Sequence, residues 1–283
     1  LTNPQLKSIS LSQAAATDQA VDLGTLGTVV DTVDLSGFDA DTQTNGVTVV
    51  LSATAVNGAT VTGSSNDDTI TASSEVDTIN AGVGADTITV GGGQDTFDLG
   101  DDDDVDNVIV GDGDLTNANL VTIQNFNATG TGVDTLSIDE ATNLATNGAG
   151  DITNGLVAGE LQSVTTASTA YTIAAGDAAI EFAFEFDSEV DLDTATKGDI
   201  LGAIGAADDG TDSSTTAGTI TADGNADEVL MVAYQDGNAY LFEGDAGTGD
   251  TVIGDDTGAN DDISLVGVIE DIEVGALSAA NFA

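Results

Sequence analysis

The sequence predicts an all-β fold with a solenoid of stacked parallel strands (a parallel β-roll) at its centre, flanked by further strand regions and one short helix. Three observations carry this. The apolar residues are largely Val, Ile, Leu and Ala interleaved with Thr, a strand-forming vocabulary. Short runs of it are separated by Gly, Asn and Asp clusters, the punctuation of turns between strands. Between Gly63 and Asp98 an Asp-Thr-apolar unit recurs with a fixed period of nine.

Composition narrows the chemistry. The 283 residues hold 50 Asp+Glu against 2 Lys+Arg, with no His and no Cys, for a formal charge of −48. Lys7 and Lys197 alone cannot neutralise a phosphate backbone, so nucleic-acid binding is excluded. The same field repels an anionic membrane surface, and no apolar run is long enough to span a bilayer. Without Cys or His there are no thiol nucleophiles, Ser-His-Asp triads or zinc sites. Hard oxygen donors remain, the ligand set of Ca²⁺. Apolar residues at 40% against 18% charged separate the chain from disordered acidic tails. Self-repulsion among so many carboxylates still calls for bound divalent cations or high salt.

Three regions are expected: 1–62, 63–140 and 141–283. In the first, Ala20–Leu23, Val30–Leu35, Val47–Leu51 and Ala59–Thr62 read as short strands. They fit a plain β-sandwich as well as a stack of parallel strands.

The second region carries the period. Asp68, Asp77, Asp86 and Asp95 are each followed by Thr and then by Ile70, Ile79, Ile88 and Phe97. Each unit gives a turn and a three-residue strand whose central apolar residue points inward. Two units make one coil, which stacks Asp68 with Asp86 and Asp77 with Asp95. A Ca²⁺ between stacked turns takes a carboxylate from each, plus turn carbonyls. Gly82, Gly84, Gly91 and Gly93 suit turns that need positive φ and carbonyls facing an ion. Metal-free turns would crowd carboxylates together, so the roll is expected to fold only with Ca²⁺.

This segment resembles the RTX, or haemolysin-type, calcium-binding repeat G-G-x-G-x-D-x-U-x. The third and fourth turns match best and the first two are degenerate. After Phe97 two residues are inserted in Asp101–Asp104, and Asp106 with Val108 resumes the unit. Asp104 and Asp106 join the candidate calcium ligands. Val121–Phe126, the turn Asn127–Gly132 and Asp134-Thr-Leu136 look like the strand pair that caps such a roll.

In the third region Tyr171–Ile173 reads as a strand. Ile180–Phe186 reads as a half-buried strand with Ile180, Phe182, Phe184 and Phe186 on one face and Glu181, Ala183 and Glu185 on the other. Asp193–Ala206 is the helix candidate, weakened by internal Gly. Residues 207–227 read as a polar, acidic loop. Glu228–Tyr234 and Ala239–Phe242 form a hairpin across Asp236-Gly237. Further acidic turns from Asp245 to Asp262 offer extra calcium positions. The ending Leu277-Ser-Ala-Ala-Asn-Phe-Ala283 resembles an uncleaved type I secretion signal, or else is a final edge strand with a short tail.

No catalytic constellation stands apart from the Gly/Thr turns, so an enzyme is not expected. The resemblance implies secretion through a type I transporter and an extracellular or cell-surface location. One expectation is a structural protein that assembles with copies of itself into an S-layer, filament or biofilm matrix. The alternative is the C-terminal calcium-binding and secretion module of a larger toxin, adhesin or secreted hydrolase.

Overall fold

The computed structural model describes residues 6–12, 20–38, 45–110, 119–138, 161–165, 170–172, 179–186, 192–193, 200–201, 219–221, 228–245, 252–253 and 262–282. The chain divides into two compact units: Leu1–Asp114 with Ala118–Ser137, and Leu115–Asn117 with Ile138–Ala283. Both are built of strands, as the sequence predicts.

In the first unit the strands are β1 Ser8–Ser12, β2 Val21–Thr25, β3 Thr32–Gly37, β4 Asn45–Val50, β5 Thr60–Thr62 and β6 Asp67–Thr71. They continue with β7 Thr78–Asn80, β8 Thr87–Thr89, β9 Asp95–Asp98, β10 Asn107–Val110, β11 Val121–Gln124 and β12 Thr135–Ile138. Odd strands stack in the order β1-β3-β5-β7-β9-β11 and even strands in the order β12-β10-β8-β6-β4-β2. The pairings are parallel, as a coil of two strands joined by turns requires. Val33, Val61, Ile79, Phe97 and Ile123 lie in register along one sheet; Val49, Ile70, Ile88 and Val108 do so along the other. All of them are buried. Each such side chain contributes about 1.5–3 kcal/mol of transfer free energy, so these two columns are the core of the roll.

The stack does not begin at residue 63. Ile9 pairs beside Val33, and Val33 beside Val61, so the N-terminal strands are earlier coils of the same solenoid. A plain sandwich is thereby replaced by the stacked-strand alternative, and the boundary expected after residue 62 has no counterpart in the pairing. At the other end, β11 and β12 continue the parallel stack by one more coil rather than closing it as a separate cap.

In the second unit the strands are β13 Leu161–Val164, β14 Ala170–Thr172, β15 Ala179–Glu185, β16 Thr219–Thr221, β17 Glu228–Gln235, β18 Asn238–Asp245, β19 Val252–Ile253 and β20 Asp262–Ile269. They form the orders β13-β15-β17-β18-β20 and β14-β16-β19. The expected hairpin is β17–β18, with Asp236 (φ 51°) and Gly237 (φ 81°) in the turn. Positive φ at both positions is the type I′ signature that matches strand twist.

Three expectations for this unit change. Glu181 is buried rather than outward, because β15 has packed neighbours on both faces; the Tyr234 hydroxyl donates to its carboxylate. Phe184, in turn, is only half-buried. The acidic loop expected over 207–227 contains β16, whose Ile220 is fully buried between two threonines. The helix expected over 193–206 falls mostly outside the described residues; Ile200 and Leu201 are helical and buried. At the C-terminus, Ala279–Asn281 form a 3₁₀ turn in which Ser278 and Asn281 make a capping box, and Leu277 and Phe282 are buried. A final edge strand is not what this segment forms.

Candidate metal centre

The recurrent Asp residues do not lie on the outside of the turns. Asp68, Asp77, Asp86, Asp95, Asp106 and Asp134 are all buried. Each is at the end of a turn, immediately before or at the start of a strand, so its side chain folds under the coil that precedes it. There it accepts a backbone N–H. Asp86 Oδ1 accepts from Asp68 N at 2.7 Å, Asp106 Oδ1 from Asp86 N at 2.7 Å, and Asp134 Oδ1 from Asp106 N at 2.9 Å. Asp68 Oδ1 in turn accepts from Val47 N at 2.6 Å. On the opposite edge Asp95 Oδ1 accepts from Asp77 N at 2.8 Å, and Asp77 Oδ1 from Ala59 N at 2.7 Å. The repeat thus builds two columns of carboxylates, one along each edge of the roll, and each carboxylate tethers two coils.

A column of buried like charges is electrostatically costly. Burial is the main cause that raises Asp86, to about 9, with Asp68, Asp106 and Asp102 adding repulsion against the help of the Asp68 N–H. Burial likewise raises Asp106 to about 7, with further repulsion from Asp134, Asp102 and Asp104. Asp68 and Asp134 are raised too, again chiefly by burial. Such a column is satisfied by protons or by a cation among the carboxylates.

The residues fit a calcium ion at the Asp86 turn. Oδ2 of Asp86 is buried and has no hydrogen-bond partner. The turn that leads to it contains Gly82 (φ 114°) and Gly84 (φ 120°). A Cβ at Gly82 would come within 2.0 Å of Ser64 O, and one at Gly84 within 2.7 Å of the Asn66 carbonyl carbon. Both positions therefore require glycine on two counts, conformation and space. Among the described residues no three acidic side chains converge as a cage. An ion here would be held by the Asp86 carboxylate with turn carbonyls, a hard oxygen set suited to Ca²⁺.

The other expected ligands are placed as follows. Gly93 has φ 103° and lies against the Glu75 backbone, while Gly91 avoids the positive-φ region but would place a Cβ 1.6 Å from Ser73 O. Asp68 and Asp77 each have both carboxylate oxygens engaged by protein donors. Asp104 is exposed and stands apart from the column that Asp106 joins, because the insertion swings it to the outside of the turn. The acidic turns from Asp245 to Asp262 have no described side chains.

Two residues were missed as site members. Asp134 completes the column; its Asp-Thr-Leu unit is the signal, hidden by a spacing of 28 from Asp106. Asp102 reaches back to accept from Gly84 N at 3.3 Å, placing a charge beside Asp86.

Comparison with known families agrees with this geometry. The model of the RTX calcium-binding nonapeptide repeat (4 copies) matches residues 62–97 and, overlapping, 71–106. No curated protein and no solved structure matches the chain. The matched segment is β6 to β9 with the turns around them, and the cofactor of such repeats is Ca²⁺. Repeats of this kind are typical of secreted proteins. No helix of the described residues is long and apolar enough to cross a membrane.

Proposed function

We propose that this chain is a non-enzymatic, secreted structural protein that binds calcium and assembles with copies of itself outside the cell, into an S-layer, filament or matrix. The observation that carries the reading is the form of the roll. Every level repeats the same parallel pairing, and among the described residues β1 and β2 each have a neighbour on one side only. Such an end offers unpaired backbone groups to a further coil, and strand addition from another copy is a head-to-tail contact that grows without closing. The high negative charge opposes that contact, and calcium at the carboxylate columns offsets it. Export through a type I transporter agrees with a roll whose folding awaits the ion.

The alternative reading is the calcium-binding and secretion module of a larger toxin, adhesin or hydrolase. It is favoured by the roll forming a compact unit of its own. Electron microscopy of the purified chain with and without Ca²⁺ separates the two. Calcium-dependent filaments or lattices support assembly; monodisperse particles in both conditions overturn it in favour of the module.

A further inference from the structure

The matched nonapeptides are not equivalent, and the residue four positions before each Asp divides them. At Asp68 that residue is Ser64. Its N–H donates to Asp68 Oδ2 at 2.6 Å, and its hydroxyl to Asp68 Oδ1 at 3.0 Å. At Asp77 it is Ser73, whose N–H donates to Asp77 Oδ2 at 2.7 Å. Each serine hydroxyl also accepts an N–H within its own turn, from Asn66 and from Glu75, both at 3.2 Å. These turns are closed: every carboxylate oxygen has a protein donor, and the serine side chain fixes the backbone that supplies it.

At Asp86 the equivalent residue is Gly82. With φ 114° it follows a backbone path that a serine rarely takes, and a Cβ there would strike Ser64 O. Asp86 Oδ2 is left buried without a donor. A buried carboxylate oxygen with no partner is costly; one that takes a metal ion is not.

We infer that the roll has two kinds of coil: the coil of Gly63–Asn80 is latched by Ser64 and Ser73 and takes no calcium, and the calcium-dependent part begins at the Ala81–Asp86 turn. The inference rests on the calcium reading of the repeats and deepens it. The latched coil, paired to β4 and β5, is then a metal-independent base on which the later coils are laid down when calcium arrives.

Hydrogen exchange of the full chain, read by mass spectrometry in calcium and in EDTA, tests this. Protection of segments 59–66 and 72–80 is expected to persist in EDTA, while 82–90 and 104–110 exchange about tenfold faster or more as the coil opens. Equal loss of protection across 59–110 overturns the division. A second measurement counts bound calcium by equilibrium dialysis. The variant Ser73→Gly/Glu75→Gly gives Ala72-Gly-Ser-Gly-Val-Asp77, the pattern of Ala81–Asp86, and is expected to bind one more ion per chain. An unchanged count in a variant with native circular dichroism overturns the role of the serine latch. A wild-type chain that binds no calcium overturns the calcium reading itself, whereas one that binds calcium but exchanges uniformly overturns this division alone.

Discussion

The backbone N–H of Asp68 donates to Oδ1 of Asp86, 18 residues later, at 2.7 Å. One side chain thus fixes the vertical spacing of two coils, and its other oxygen remains open toward the turn. One oxygen of the carboxylate serves as a tether, and the other is the one the proposed calcium reading assigns to the ion.

Replacing Asp86 with Ala removes both roles. The Asp68 N–H is left buried and unpaired, which costs about 1–3 kcal/mol. Calcium affinity is expected to fall as well, whereas Asp101→Ala, at an exposed position, leaves both nearly unchanged. Titration calorimetry and chemical denaturation of the two variants provide the comparison.

Gly84→Ala and Gly130→Ala form a matched pair. Both residues have positive φ, 120° and 102°. A Cβ at Gly84 meets the Asn66 and Asp67 backbone, while at Gly130 nothing lies within 4 Å. Conformational strain alone is about 1–2 kcal/mol, so Gly130→Ala is expected to lower the thermal midpoint slightly and Gly84→Ala considerably more.

In EDTA the stability of the roll is expected to fall as pH rises. Asp68, Asp86, Asp106 and Asp134 have folded pKa values raised above the ordinary 3.8. Groups raised in this direction favour the fold fully below the unfolded pKa, and the benefit is lost as pH climbs through the folded values, about 7 for Asp106 and about 9 for Asp86. Urea midpoints in EDTA should therefore be higher at pH 5 than at pH 8.5. Saturating calcium, which binds the ionised form, should shrink or invert that difference.

In the second unit Tyr234→Phe tests the buried Glu181. The Tyr234 hydroxyl is raised in pKa, chiefly by burial and then by Glu181, so it stays a donor across the accessible pH range. Removing it deprives a buried carboxylate of a hydrogen bond, a loss of about 1–3 kcal/mol. Urea denaturation followed by circular dichroism measures it; an unchanged midpoint would count against the bond.

What could be read from the sequence depended on turn length. From Asp68 to Asp95 the coils keep a spacing of 18, so period, register and the stacking of Asp68 under Asp86 were visible as spacing. Elsewhere the tethered pairs stand 21, 20 and 28 apart, as in Val47–Asp68, Asp86–Asp106 and Asp106–Asp134. The same coil geometry persists because the strands on either side of a longer connection keep the same parallel pairing. A search for a fixed period loses it, which is why the N-terminal strands fit a sandwich as well as a stack and Asp134 reads as part of a cap rather than of the column. Asp104, marked as a candidate ligand by its charge, is exposed on the insertion and does not join the buried column. The alternation of β15 foretold Phe182 and Phe186 inside but not Glu181, because alternation cannot show that a strand is covered on both faces.

Every tether in the carboxylate columns points the same way: a later Asp holds an earlier amide. The roll therefore has a mechanical polarity. Tension applied from Asp134 withdraws one carboxylate at a time and bares the amide beneath it, so the stack peels coil by coil. Tension applied at the Val47 end must instead drag amides away from carboxylates still clamped by their own turns, and meets the serine-latched coil first. A chain pulled by its two ends should give way at the calcium-dependent levels while the coil of Gly63–Asn80 still holds.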